Sequence, residues 1–561
     1  MVDSNSTDMP GFRMRICFIW TSHFKNLNNF GINLCNDFKF SYSPDTHEVS
    51  KVTQTALPSE IFGENILDIT AILGINGAGK TNALELICLA LKSNERIDTP
   101  SIVVYELHGE LFYINNTSNE ITTNFPAQRR ADFRDIKDLN VIYFSNVFDE
   151  NQMDLGKNVQ DISANFKYSR RGFALGRARA EADIIYQLQF IYSTQFPKVR
   201  IETPRRIEIK VDRSIRRTNN DRNHKLVDFY KKISELQISM RRQRLPDKNL
   251  QRAVIAIQGL FLYQLLTENI EREEFIHNID QSLNKLQSEP IDFREPLFAA
   301  RQFFKTHEEL ELHHSKPTLT KLLDVTIELE HILRAMNIRL DESLKSSRYS
   351  FTIDFDKDEP LPYLELAWII ELIRSGSINW TSLSSGQKAY LNMFSSIWIS
   401  LSNTGISKNS NSGTLLCIDE ADLYLHPKWQ TEFIERLITC LPRLSEQKSQ
   451  IVITTHSPIL VSDLPSQCLI ALLPQCGGPN AVPPSEELKT FGANLFDIYA
   501  STFGLKGQRS GNISAKYISK ILTILDADEI SPLDLDALRQ AASIIDDQLI
   551  KSHIIKRISS K

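Results

Sequence analysis

Residues 74–81 read Gly74-Ile75-Asn76-Gly77-Ala78-Gly79-Lys80-Thr81, which fits GxxxxGK[ST]. An apolar run, Ile66–Leu73, precedes the glycines, and an apolar-periodic stretch, Thr81–Leu91, follows them. The chain there is confined to a strand, a tight turn and a helix, the start of an α/β unit. Glycines let backbone N–H groups curl round phosphate oxygens. Lys80 adds a point charge and the Thr81 hydroxyl an Mg²⁺ ligand. The helix beginning near Lys80 aims its positive end at the same anion. The expected nucleotide contacts are Gly74, Asn76, Gly77, Ala78, Gly79, Lys80, Thr81 and Asn82.

Three further motifs follow. Thr414–Asp419 is an apolar strand run that ends in Asp419-Glu420. Paired acids at a strand end are costly unless they meet a cation or a reacting water. Asp419 is placed to hold Mg²⁺ and Glu420 to polarise water. The plain alternative is a strand ending at a polar turn. Leu383-Ser384-Ser385-Gly386-Gln387 opens an apolar helix, either a second anion site or an ordinary serine cap. Ile451–Thr455 is a buried strand leading to His456, a candidate donor to a terminal phosphate or a satisfied core histidine.

Composition narrows the class. Apolar residues are 42% of the 561, too many for wholesale disorder. The net charge of −5 excludes a uniformly basic nucleic-acid coat. Seven cysteines, at 17, 35, 88, 417, 440, 468 and 476, include no CxxC pair. That argues against a disulfide scaffold or zinc hook and fits a reducing cytosol. Met1–Pro10 lacks a signal-peptide pattern. The apolar runs Ala253–Leu266 and Tyr390–Leu401 are too short to span a bilayer and predict buried helices.

Four regions are expected: a first lobe at 1–154, a mostly helical insertion at 155–348, a second lobe at 349–485 and a helical tail at 486–561, with a helix over Leu533–Ser552. Strands are expected near Met14–Trp20, Gly31–Ser41 and Leu139–Phe144. The insertion is basic: Lys167–Arg252 holds 22 Lys+Arg and 9 Asp+Glu. Arg205-Arg206 and Arg216-Arg217 suit phosphates, and Tyr168, Phe173, Phe196 and Tyr230 suit base stacking. A solvated helical face is the bland alternative. Glu311, His313 and His314 are weak metal-ligand candidates beside a solvated helix end. Asp526, Asp528 and Glu529 suggest a helix end and cap rather than a nuclease site.

The order P-loop, LSSGQ, DE strand, TTHS strand resembles the ABC-type ATPase head. The resemblance implies an α/β ABC-type P-loop head carrying a large helical insertion and a helical C-terminal tail. It implies ATP with Mg²⁺, Asp419 and Thr81 on the metal, Glu420 as the base, Lys80 on the phosphates and His456 as the switch histidine. Ser384, Ser385, Gly386 and Gln387 would complete the site of a second copy, so a homodimer or higher even oligomer is expected. The loop that carries a Gln in that family has Ser145-Asn146 here, and Asn146 is the candidate for its role.

Thr490-Phe491-Gly492-Ala493-Asn494-Leu495, the following IYASTFGL and the tail ALRQAASIIDDQLIKSHI resemble Septu-type (PtuA-like) defence ATPases, including retron-associated ones. The likeness takes in roughly residues 380–561 and 60–150. A departure is Ser510–Ser514, where the family has a Gly-Glu-Phe-Ala-like turn. The resemblance implies a separately encoded HNH nuclease (PtuB-like) as partner and, where a retron is present, its DNA–RNA product or reverse transcriptase. It implies no membrane partner. The rival readings are a RecF-like repair clamp without a nuclease and a scaffold that hydrolyses ATP very slowly.

Overall fold

The computed structural model describes residues 14–559 except 93–96, 150–152, 157, 169–180, 213–223, 243–246, 289–291, 308–317, 337, 341–347, 356–360, 374–376, 404–412, 446, 476–477, 483–489, 503–510 and 528–530. The chain opens with β1 (Met14–Phe24), β2 (Leu27–Asn33), β3 (Phe38–Ser43) and β4 (Glu48–Thr53). The expected single β piece at Gly31–Ser41 is therefore two strands. Residues 34–37 turn the chain between them, and Asn33 holds the turn through both backbone groups of Phe40.

Next come β5 (Ile66–Gly74), the P-loop helix Lys80–Lys92, β6 (Ser101–Leu107), β7 (Glu110–Asn115), β8 (Thr122–Thr123), β9 (Gln128–Arg130), β10 (Asn140–Ser145) and β11 (Gln160–Asp161). Far along the chain lie β16 (Thr414–Asp419), β17 (Ser449–Thr455), β18 (Leu469–Gln475) and β19 (Gly478–Val482). One seven-stranded sheet takes strands from both stretches in the order β11-β10-β16-β17-β5-β18-β19. It is parallel except for β19. Every residue of β10, β16 and β17 is buried. Both faces of a parallel sheet are covered, so such strands appear in sequence as unbroken apolar runs rather than alternations.

A second sheet, β2-β1-β6-β7-β9, covers one face of the P-loop helix. The two sheets are tied by polar groups. Arg15 makes a bidentate contact to Asp68, with both distances 2.5 Å, and reaches Asp37 at 2.8 Å. The Gln450 side chain accepts from the Ile16 N–H at 2.7 Å and donates to the Ile16 carbonyl at 2.9 Å.

The insertion is helical over Glu181–Ile191, His224–Arg242, Lys248–Glu268, Glu273–Ser288, Glu295–Thr306 and Leu319–Ile327, but it also carries strands. These are β12 (Arg206–Asp212) and β13 (Ile338–Leu340), and β14 (Arg348–Asp354) follows where the second lobe begins. With β15 (Ser377–Trp380) they form an antiparallel sheet, β13-β14-β12-β15. The apolar residues of β12 are Ile207, Ile209 and Val211, all buried, and the charged residues between them face outward. Helix Leu361–Ile373 and the signature helix Ser385–Asn403 join this region to the main sheet through one continuous core.

The tail ends in Asn512–Leu525, Pro532–Ile544 and Gln548–Ser559, which share a small core of their own around Leu538, Ala541 and Ile554. The single helix expected over Leu533–Ser552 is broken at 545–547. Asp547 accepts from the N–H groups of Leu549 and Ile550, both at 3.0 Å, and so starts a new helix. Asp526 ends the first of the three as its C-cap. Among the described residues no helix is long and apolar enough to cross a membrane.

Candidate functional site

The sheet order places the carboxyl ends of β10, β16, β17 and β5 side by side. Ser145 pairs in register with Asp419, and Thr455 with Leu73. Four segments distant in sequence meet there, at the edge where α/β sheets bind ligands.

The P-loop is held in shape from outside. Gly77 and Gly79 have φ of 78° and 95°, a region that favours glycine. A Cβ on Gly79 would stand 2.8 Å from the Asn26 amide oxygen. Asn26, in the β1–β2 turn, donates to the Gly77 carbonyl at 3.3 Å and accepts from Asn82 at 2.7 Å. Beside it, Lys25 pairs with Glu85. Ala78 is buried, while Asn76 and Gly77 are exposed. Gly74 lies where a Cβ would come within 2.9 Å of the Leu472 carbonyl.

Lys80 is buried and turned back on the loop, donating to the carbonyls of Gly74 at 3.0 Å and Ile75 at 3.4 Å. Burial pushes its ammonium below the usual lysine range, against the pull of Asp419, Glu420 and Asp422. Thr81 donates to Asp419 at 2.9 Å. The same carboxylate accepts from Thr454 at 2.5 Å and from the Tyr143 hydroxyl at 3.2 Å. Three hydroxyls thus fix the orientation of Asp419.

Glu420 has φ of 48°, a left-handed conformation, with its N–H on the Thr454 hydroxyl at 2.8 Å. Burial raises its carboxyl above the usual range, and the charges of Asp419 and Asp422 raise it further. Asp422 accepts from the Thr455 hydroxyl at 2.6 Å and the His456 N–H at 3.1 Å. Burial and the charge of Lys80 lower His456 below the usual imidazole range. A cleft of about 400 Å³ opens beside these groups, lined by Thr81, Asn82, Tyr143, Ser145, Asp419 and Glu420 among others.

The structure thus gathers Gly74–Asn82, Asp419, Glu420 and His456 at one edge. It does not bring the signature loop to them within one chain: Ser384, Ser385, Gly386 and Gln387 do not line the cleft. The Ser384 N–H donates to the Gln387 side chain at 2.8 Å, and the Gln387 N–H donates to the Ser384 hydroxyl at 3.3 Å, a reciprocal cap on the signature helix. Gln387 also pairs with Glu202. Asn146 faces the signature helix and accepts from Asn392 at 3.1 Å, while Ser145 lines the cleft.

Sequence reasoning missed Asn26, Tyr143, Thr454 and Asp422. Thr454 and Asp422 flank recognised motifs. Asn26 and Tyr143 carry no local signal, because only the tertiary fold brings them to the P-loop and Asp419.

In the insertion, the backbone N–H groups of Arg205 and Arg206 donate to the Ser382 hydroxyl at 3.0 and 3.2 Å. The Arg206 side chain pairs with Asp354 at 2.8 Å. Phe196 cannot stack on a base as expected. It is 3% exposed and packs edge-on to Phe190, because the turn at 196–199 closes over the main core. Tyr230 packs against Tyr263. Arg216, Arg217, Phe173, Glu311, His313, His314, Asp528, Glu529 and the side chain of Tyr168 lie outside the described residues. Among the described residues no cluster of three His, Cys, Asp or Glu side chains is placed to hold a metal.

The chain is similar to the retron Vc95 probable ATPase of Vibrio cholerae serotype O1 biovar El Tor, 30% identical over 139 residues, which are 24% of this chain and 25% of that protein. It is similar to the Septu protein PtuA of Bacillus thuringiensis, 37% identical over 108 residues, 18% of this chain and 26% of that one. The retron Ec83 probable ATPase of Escherichia coli is 31% identical over 136 residues, 24% of each chain. The matched stretches span about a quarter of the length of these relatives. The family described as "AAA domain, putative AbiEii toxin, Type IV TA system" matches residues 69–462, from the P-loop strand past His456. With all four motifs inside that span, the chain belongs to this AAA-domain family.

Proposed function

We propose that this chain is the ATP-hydrolysing subunit of a bacterial antiviral defence complex, in which two copies close on ATP and control a partner nuclease of the HNH class. The observation that carries the reading is the Thr81–Asp419 contact, with Lys80 and Glu420 beside it at one sheet edge. Similarity to Septu and retron ATPases supports the defence role.

Each residue has a task in this reading. The N–H groups of the P-loop wrap the phosphates. Lys80 leaves the Gly74 and Ile75 carbonyls for the phosphate anion, whose charge restores the ammonium that burial disfavours. The Thr81 hydroxyl and Asp419 carboxylate are hard oxygen donors, and together they fit Mg²⁺. When bound, Mg²⁺ neutralises charge on the phosphate oxygens. Glu420 orients the attacking water and accepts its proton. His456, its backbone N–H held by Asp422, donates to the terminal phosphate. Ser384, Ser385, Gly386 and Gln387 act on the nucleotide of a second copy, giving a homodimer or higher even oligomer. The basic insertion offers contacts for nucleic acid, such as a retron DNA–RNA product.

Glu420→Gln tests the reading. ATP turnover falls about 10²–10⁴-fold, the usual worth of a general base, and ATP-bound dimers accumulate in light scattering. Unchanged hydrolysis sinks the mechanism. Co-purification with the native gene neighbours tests the partner, and recovery of the chain alone removes the nuclease from the account.

A further inference from the structure

The cleft at the sheet edge is short of positive charge. Six carboxylates line it, those of Glu85, Asp149, Asp154, Asp161, Asp419 and Glu420. Among the described residues of that lining the one cation is Lys25, which Glu85 already holds. Lys80 stands beside the cleft, and burial disfavours its ammonium. ATP adds the negative charges of its phosphates, and hydrolysis spreads charge over the oxygens of the transferred phosphoryl group. Beside Mg²⁺, Lys80 is the one cation of the P-loop that answers this charge.

An arginine stands at the other functional surface, the signature loop. Residues 202–206 run alongside that loop. Glu202 pairs with Gln387, and the N–H groups of Arg205 and Arg206 donate to the Ser382 hydroxyl at 3.0 and 3.2 Å. The Thr381 N–H donates to the Arg206 carbonyl at 3.1 Å. The backbone of Arg205 is held on both sides, because its carbonyl accepts from the Phe355 N–H at 2.7 Å. The two arginines then differ. Arg206 commits its side chain to Asp354 at 2.8 Å. Arg205 is exposed, and among the described residues no carboxylate meets its guanidinium. Ser382 lies two residues before Ser384, so a long side chain rooted there borders whatever Ser384–Gly386 face. A fixed backbone with an uncommitted guanidinium suits a phosphate that comes from outside this chain.

The geometry points to Arg205 as a catalytic residue that acts in trans. When two copies close, its guanidinium enters the cleft of the second copy together with Ser384–Gln387 and binds the oxygens of the terminal phosphate. A planar fork of donors matches phosphate oxygens in pairs. Water adds to the terminal phosphorus, its proton passes to Glu420 and ADP leaves, while Arg205 keeps its own protons throughout. The inference rests on the ATP-sandwich reading and supplies the cation that each cleft lacks. It also parts Arg205 from the nucleic-acid contacts expected of the Arg205-Arg206 pair.

The test uses the full-length protein and mixed dimers. Arg205→Ala should lower kcat about 10³-fold, the low end of what an arginine supplied in trans contributes. Affinity of the separate chains for a fluorescent ATP analogue should stay within about twofold. Arg206→Ala removes an exposed ion pair and should leave kcat within about twofold. Arg205→Ala and Glu420→Gln are each nearly inactive alone. Mixed before ATP is added, they should turn over ATP well above the sum of the two. In the mixed dimer the Arg205→Ala chain keeps Glu420 and receives Arg205 from the other chain. An arginine acting on the nucleotide of its own chain gives no such rescue, since each site then lacks one of the two groups. Arg205→Gln replaces the alanine variant if thermal melting shows that variant to be unfolded.

A kcat equal to wild type, a mixture no faster than its parts, or an equal loss in Arg206→Ala each overturn the assignment. Wild-type and Glu420→Gln proteins run alone separate the two failures. If wild type turns over ATP, Glu420→Gln does not, and Arg205→Ala matches wild type or is not rescued, only the role of Arg205 is wrong. If wild type neither binds nor hydrolyses ATP, the functional reading falls and the assignment with it.

Discussion

Thr81 donates to Asp419 across 2.9 Å although 338 positions of sequence separate them. One comes from the start of the P-loop helix, the other from the end of β16, and both present oxygen to the same point. Thr81→Ala removes a hydrogen bond to a charged group, worth about 1.5–3 kcal/mol, and a ligand for Mg²⁺. ATP turnover should fall at least tenfold, with Thr81→Ser close to wild type. Steady-state hydrolysis across a Mg²⁺ titration checks this, and equal rates for the alanine and serine variants would contradict it.

Gly79→Ala should fail for two independent reasons. Its φ of 95° is hostile to a side chain, and the new Cβ would press on Asn26 at 2.8 Å. A destabilisation of about 1–3 kcal/mol is expected, read by urea unfolding, along with loss of ATP-analogue binding. Asn26→Ala should relieve the clash but not the backbone strain, so the double variant recovers only part of the stability.

The acid limb of the rate profile should sit above the ordinary glutamate range, near 4.3. Glu420 must be ionised to take a proton, and burial with Asp419 and Asp422 raises its carboxyl. Its base form is therefore present at neutral pH and is lost, as pH falls, earlier than for an exposed glutamate. Asp422→Asn keeps the acceptor for Thr455 and His456 but removes a like charge, so the limb should move to lower pH. His456 is lowered by burial and Lys80, so any break it adds should fall below the usual imidazole value of about 6.5. The profile of kcat against pH for both proteins decides.

Arg15 should matter to folding rather than to turnover. Its partner Asp68 is 1% exposed, and Arg15→Met strands that carboxylate in the core. Removing one member of a buried ion pair costs about 3–5 kcal/mol. Arg15→Met with Asp68→Leu should regain much of the loss. Denaturant melts of the two variants test the claim, and equal stability would show that Asp68 finds sufficient partners in Asn36 and Gln450.

Much of the main sheet and the nucleotide edge was legible because buried parallel strands are unbroken apolar runs. Leu415–Ile418 and Ile451–Ile453 announce themselves, and so does the glycine spacing before Lys80. β12 was less visible. Its Ile207, Ile209 and Val211 alternate with charges, and the basic total of the region masked the strand period. The break at Asp547 was hidden because apolar periodicity continues across it, although two adjacent acids were there to cap a new helix. Asn26 and Tyr143 could not be found from local pattern. Their places depend on the β1–β2 turn resting on the P-loop and on the register of β10 against β16. The task assigned to Ser384–Gln387 is not written in one chain's geometry at all, since it needs a second copy.

The strand order has a consequence for synthesis. The two neighbours of β5, the strand that leads into the P-loop, are β17 and β18, which follow the whole insertion in sequence. As the ribosome works from the N-terminus, β5 emerges without either flank and waits while the whole insertion is made. At about 5–20 residues per second that wait is roughly 20–80 s. Asp419, His456 and the sheet edge that carries them do not yet exist during this time. A half-made chain therefore has a glycine loop but no complete site until β16 and β17 have been made.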